Sequence, residues 1–184
     1  IGAPFQSSVQ GQVYLIYGSA TAFSASQSAG TAGITFTGET AGDYLGYALG
    51  SADINNDEYS DILIGSRSNI EGKGALYIIY GQSTRFTSAD ITSVVDAKFQ
   101  GVTSNDNFGS AIANAGDVNN DSYDDIIVGA PRYSTYTGAT YLIYGQQTAF
   151  APVNIISTSN SAIFEGEQTY DSLGSSVAGA GDVD

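Results

Sequence analysis

The sequence predicts an all-β fold of β-propeller blades, each made of four antiparallel strands, with about three blades' worth of chain. Three observations carry this reading. A nine-residue stretch rich in Asp and Asn stands at 53–61 and again at 117–125, and begins a third time at 182–184, so that its copies lie about 64 residues apart. Other landmarks keep step with it: Gly18, Gly81 and Gly145 close Tyr-rich apolar runs, Phe23, Phe86 and Phe150 follow at a fixed distance, and Phe36, Phe99 and Phe164 each stand two residues before a Gly. The chain of 184 residues also holds 23 Gly and 13 Tyr and few runs of strong helix formers, which favours strands joined by tight turns. A repeat of this length that holds four strands cannot bury both of its faces alone, so neighbouring units must stack.

The elements follow in chain order. Gly2-Ala3-Pro4 matches Gly129-Ala130-Pro131, which places the opening residues in a second strand, so residues 1–36 supply strands two to four of a first blade. The second blade is expected over about 44–99 and the third over about 108–164, with 173–184 as the first strand of a fourth. In the third blade the strands should run about 110–117, 125–130, 139–144 and 162–164. Small residues at 111–116 and 177–181 suit innermost strands crowded round an axis. The Ser/Thr-rich segments at 19–33, 82–95 and 146–160 read as long connections between third and fourth strands, where blade-specific function has room to vary. On this reading the sequence is a window on a longer array.

The repeated nine residues carry the chemistry. Side-chain oxygens recur at loop positions 1, 3, 5 and 9: Asp53, Asn55, Asp57 and Asp61, then Asp117, Asn119, Asp121 and Asp125, with Asp182 and Asp184 opening a third copy. With one backbone carbonyl, that of Tyr59 or Tyr123, this spacing lets a short turn wrap oxygen ligands round a hard cation, and the cation implied is Ca2+. Three carboxylates so close repel by roughly a few kcal/mol per pair, and a divalent ion removes that cost. Asp/Asn-rich hairpin turns use the same residues without metal; recurrence in register favours the ion. The strand-like runs that follow, Ile62-Leu63-Ile64 and Ile126-Ile127-Val128, put each loop in a β-hairpin, and neither loop has the Glu at position 12 that a helix-flanked calcium loop uses.

Charge and composition exclude other classes. Nineteen acidic residues against five basic ones give a net charge of −14, which argues against nucleic acid and anionic membrane surfaces as partners. With no His and no Cys, the usual general base and thiol nucleophile are missing, and no enzyme activity is expected. Gly72-Lys73-Gly74 lacks phosphate-loop spacing and reads as a strand turn. The recurrent tyrosines of the third strands read as blade packing, and Asp43, Asp106 and Asp171 as acceptors that fix the turn into each innermost strand. The sequon at Asn120 lies inside a metal loop and is read as unused. No apolar run is long enough to span a membrane.

These landmarks resemble the FG-GAP repeat, which builds the β-propeller of integrin α-subunits and of many bacterial surface and secreted proteins. Its two signatures stand here as Phe108-Gly109 (Leu45-Gly46 and Leu173-Gly174 in the other copies) and Gly129-Ala130-Pro131, with Gly65-Ser66-Arg67 as a departure. The loops resemble the family's calcium loop, except that position 6, usually Gly, is Glu58 or Ser122. If the turn is left-handed there, each substitution costs about 1 kcal/mol. The Tyr-Gly-x-x-x-x-Phe connections look more like the bacterial members. The resemblance implies an extracellular or cell-surface calcium-binding module for adhesion, with an unknown protein or glycan ligand. The alternatives are a structural repeat that self-associates end to end into a filament or surface layer, and an accessory propeller of a secreted hydrolase.

Overall fold

In a computed structural model that describes residues 1–23, 26–69, 71–157 and 160–181, the strands fold into three stacked sheets. The first holds β1 (Gly2–Ala3), β2 (Gln12–Leu15) and β3 (Ile34–Thr37). The second holds β4 (Leu45–Ala52), β5 (Asp61–Ser66), β6 (Ala75–Ile79) and β8 (Ala97–Gln100); between the last two in the chain comes β7 (Ala89–Asp90), which belongs to the first sheet. The third holds β9 (Ala111–Gly116), β10 (Asp125–Ala130), β11 (Ala139–Ile143) and β13 (Ser161–Glu165), while β12 (Val153–Ile155) joins the second. Within each sheet the main strands form an antiparallel meander, for example Ile126 opposite Ile143 and Tyr141 opposite Ile163. The all-β blade architecture expected from the repeat is the observed one.

Stacking explains the apolar pattern. Successive side chains of a strand point to opposite faces, and in β6 both faces are covered. Tyr77 and Ile79 pack in the core shared with the first sheet, alongside Val13, Phe36 and Leu45. Leu76 and Ile78 pack in the core shared with the third, alongside Val128, Tyr141 and Ile143. A strand covered on both sides reads as a continuous apolar run instead of an alternating one, as 76–79 does. The innermost strands lie side by side, and a Cβ on Gly50 of β4 would touch Ile112 of β9 at 3.1 Å. The small residues expected there are thus set by closeness to the neighbouring strand.

The long connections hold elements that alternation did not announce. Two of them, 82–95 and 146–160, send a short strand back onto the preceding sheet: β7 pairs in parallel with β3, and β12 with β8. Phe86 meets Phe36 edge-on with centroids 6.2 Å apart, and Phe150 meets Phe99 in the same way at 5.0 Å. The N–H of Phe86 donates to the Tyr17 hydroxyl at 2.8 Å, and that of Phe150 to the Tyr80 hydroxyl at 3.0 Å. The repeated Tyr-Gly-x-x-x-x-Phe therefore fastens one blade to the one before it. Strands of two or three residues inside polar segments leave no period to detect.

Residues expected to begin a fourth blade reach the third sheet through a parallel bridge between Gly138 and Leu173. The same bridge recurs as Gly11 with Leu45 and as Gly74 with Phe108. Among the described residues, 175–181 pair into no strand. No helix of the described residues is long and apolar enough to cross a membrane.

Candidate metal centres

The two complete loops span the β4–β5 and β9–β10 turns, so both sit at the same end of their sheets. Their hydrogen bonding is the same residue for residue. Asp53 accepts from the N–H groups of Asp57 at 3.0 Å and Glu58 at 2.9 Å; Asp117 accepts from Asp121 at 2.9 Å and Ser122 at 2.7 Å. The position-3 amides, Asn55 and Asn119, accept from the N–H of Asp57 and Asp121, both at 3.1 Å, and donate to the same residues' carboxylates. Asp57 and Asp121 accept in turn from Tyr59 and Tyr123. Side chains at positions 1, 3 and 5 thus fold inward over the loop and bond its own N–H groups.

Position 9 differs from the rest because it is buried. Both oxygens of Asp61 are held, one by the N–H of Ile54 at 2.9 Å and the other by that of Gly81 at 2.8 Å, and Asp125 is held by Val118 and Gly145. Burial pushes the Asp61 carboxyl up to about 6, against the two N–H donors, and the charges of Asp57 and Asp53 add to the rise. Asp125 is raised for the same reasons, burial first, with Asp121 and Asp117 adding. Each loop concentrates negative charge that nothing basic offsets: among the described residues the one ion pair is Lys98 with Glu39, away from both loops.

Glu58 and Ser122 at position 6 have φ of +71° and +75°, so the left-handed backbone expected there is present without its glycine. The donor set is oxygen only and rich in carboxylate, which suits calcium better than a transition metal. Asp53, Asn55, Asp57, Asp61 and the Tyr59 carbonyl would hold an ion in the first loop, with Asp117, Asn119, Asp121, Asp125 and the Tyr123 carbonyl in the second. The carboxylates of each loop are not drawn to a common point; among the described residues no three acidic side chains converge to metal-ligand distance. Their oxygens instead take the loop's own N–H donors. Asp182 and Asp184 lie outside the described residues.

One contributor to this region escaped the spacing argument. Asp124, at loop position 8, accepts from the backbone N–H of Asp53 at 3.1 Å and from the Asn114 side chain at 2.8 Å, tying the first loop to the next blade. The N–H of Gln146 donates to the Ile54 carbonyl at 2.9 Å in the same seam. A second Asp before Asp125 is visible in the sequence, but its partner is a backbone group 71 residues away. The turn aspartates behave as expected: Asp43 accepts from Thr40 N–H at 2.7 Å, Asp106 from Thr103 N–H at 3.0 Å, and Asp171 from Gln168 N–H at 2.8 Å.

The signature glycines of adjacent blades also meet. A Cβ on Gly2, Gly65 or Gly129 would collide with the carbonyl oxygen of Gly46, Gly109 or Gly174 respectively. Residues 108–143, which hold one such pair's Gly109 and the second metal loop, match the family model described as FG-GAP repeat. The chain carries an FG-GAP repeat. It is 33% identical over 161 residues to integrin alpha-8 of Gallus gallus, covering 81% of this chain and 14% of that protein. It is 34% identical over 119 residues to integrin alpha-11 of Mus musculus, covering 60% of this chain and 9% of that protein. Phosphatidylinositol-glycan-specific phospholipase D of Mus musculus is 32% identical over 138 residues, covering 71% of this chain and 16% of that protein. The chain, with its FG-GAP repeat, therefore spans a small part of the length of the curated relatives it matches.

Proposed function

We propose that the chain is a calcium-stabilised FG-GAP propeller segment of an extracellular or cell-surface protein, serving as a non-enzymatic module that binds a protein or glycan in adhesion. The observation that carries the calcium reading is the identical inward folding of two acidic loops at equivalent places in adjacent blades, each with a buried carboxylate and, among the described residues, no ion pair to a basic side chain. Calcium that binds only the folded state adds about 2.7 kcal/mol at a hundredfold excess over its dissociation constant. Kinship with integrin α-subunits supports the adhesion reading. Thermal melting with calcium and with chelator tests the metal: a lower midpoint in chelator is expected, and coincident curves would refute it. Binding of glycan arrays and matrix proteins, lost on chelation, tests the adhesion reading.

A second reading is end-to-end self-association. Phe86 and Phe150 cover the outer-strand phenylalanines of the preceding blade, whereas Phe23 and Phe164 are 54% and 56% exposed, so one face could serve the other. Sedimentation of the purified chain distinguishes it, since growth of mass with concentration is expected. A third reading, an accessory propeller beside a hydrolase, is favoured only by kinship with the phospholipase D, and the parent coding sequence decides it.

A further inference from the structure

The second and third blades carry equivalent sites that the chain has filled differently. In the second blade the Lys98 ammonium bonds Glu39 at 2.7 Å and lies 4.9 Å from the centroid of the Tyr77 ring, whose hydroxyl donates to the same carboxylate at 2.9 Å. The repeat register places Ile163 where Lys98 stands, Val102 where Glu39 stands, and Tyr141 where Tyr77 stands. Neither the ammonium nor its carboxylate is replaced in kind.

The exchange leaves a cavity of about 300 Å³ lined by Val102, Tyr133, Tyr141, Ile156, Ile163 and Glu165, among others, none of them basic. Val102 and Ile163 are 41% and 43% exposed, whereas Lys98 is buried. A carboxylate returns from another position: Glu165 accepts from the Tyr133 hydroxyl at 3.0 Å, and the Tyr133 ring stands at 88° to that of Tyr141. Burial raises the Tyr141 hydroxyl's pKa, and the charges of Tyr133, Asp106 and Glu165 reinforce the rise, so the neighbourhood is electronegative.

We propose that this inter-blade cavity binds a primary ammonium on an alkyl chain, as on a lysine side chain, with its methylenes against Val102 and Ile163, and its charge between the tyrosine faces and Glu165. An ammonium over an aromatic face is attracted by the ring's negative quadrupole, and a carboxylate beside it adds a charge-assisted hydrogen bond. The second blade supplies its own lysine for this purpose. The third blade leaves the place to a ligand, and the chain's net charge of −14 favours a cationic one.

The test is an NMR titration of the intact chain with Nα-acetyl-lysine methylamide, following the Tyr133 and Tyr141 ring resonances, beside the norleucine analogue, which lacks the ammonium. Saturable shifts with the lysine compound, and binding at least about tenfold weaker for the norleucine compound, are expected. Glu165→Gln, a substitution at an exposed side chain, should weaken the lysine compound by about tenfold. The double variant Val102→Glu with Ile163→Lys, which copies the second blade's ion pair into the third, should abolish binding. Equal binding of both compounds, no saturable shift with either, or full binding by the double variant would each overturn the proposal. Butylammonium as a third probe separates sources: affinity equal to the lysine compound's points to small amines, and weaker affinity to a protein side chain.

Discussion

The Cα of Gly65 rests against the carbonyl oxygen of Gly109, across the seam between the second and third blades. Gly109 has φ of +85°, and its N–H donates to the Gly129 carbonyl at 3.1 Å, so its own carbonyl is fixed in that position. The first half of the family signature thus presents a carbonyl, and the second half supplies a residue without a side chain to receive it. Gly65 sits in the copy that departs to Gly-Ser-Arg, yet it keeps the contact. Gly65→Ala should therefore destabilise the chain by about 1–3 kcal/mol, the range for overpacking a close contact. Urea unfolding measures it, and a change within about 0.5 kcal/mol, the range of an ordinary surface substitution, would mean that the seam yields.

The left-handed residues at loop position 6 allow the opposite experiment. Glu58 and Ser122 have side chains where φ is +71° and +75°, and Glu58 adds a charge to an already acidic loop. Glu58→Gly and Ser122→Gly should each stabilise the folded state, by about 0.5–1 kcal/mol after the added freedom of glycine in the unfolded chain is subtracted. Denaturant midpoints should rise for both. A fall in both would show that the side chains make contacts that outweigh the strain.

The repeat made the strands and the loops legible, because β5, β6, β10 and β11 are apolar runs bounded by Gly or Asp and recur in register. Position 6 was legible too, since a fixed turn with an unusual residue predicts strain at Glu58 and Ser122. What could not be read is what one blade does to another. The partner of Asp124 is a backbone N–H in the previous loop, and β7 and β12 exist only because an outer strand of another sheet offers them bonds. The same holds for Lys98, whose carboxylate lies 59 residues away. The recurring Phe86 and Phe150 mark positions but not their partners, Phe36 and Phe99 of the preceding blade, so the segments at 82–95 and 146–160 read as loops free for function when they also fasten adjacent blades.

The Lys98–Glu39 pair gives stability a pH dependence. Burial alone would raise the Glu39 carboxyl, but the hydrogen bond and charge of Lys98, with the Tyr77 hydroxyl, outweigh it and hold the group below the ordinary glutamate range. A carboxyl lowered by folding stabilises in full above its unfolded value, and that contribution disappears as pH falls through the folded value. Melting midpoints of the wild type should therefore drop, relative to a protein without the pair, on acidification from just above the glutamate range to below it, since the raised Asp61 and Asp125 carboxyls act in the opposite direction in both proteins. The double variant Glu39→Gln with Lys98→Met should lose less over the same interval. Lys98→Met alone, which leaves the partly buried carboxylate unpaired, should cost about 1–2 kcal/mol near neutral pH, less than a fully buried pair would.

Positions 5 and 9 of the metal loop should respond differently to removal, and the difference separates metal binding from turn formation. Asp57 is exposed, and its carboxylate meets only groups of its own loop, whereas Asp61 is fully buried and accepts from Ile54 and Gly81 on two separate segments. Asp61→Ala strands two N–H groups and should cost about 2–4 kcal/mol even in chelator, where no metal is at stake, and in calcium it should forfeit the first loop's metal-dependent stabilisation as well. Asp57→Ala removes a ligand and a local acceptor; in chelator it should cost no more than about 1 kcal/mol, and in calcium it should forfeit the first loop's share of the metal-dependent stabilisation. Calorimetric titration should show one fewer calcium per chain for Asp57→Ala, with Asp121→Ala behaving the same way at the second loop. Equal losses for Asp57→Ala with and without calcium would reduce both loops to hydrogen-bonded turns.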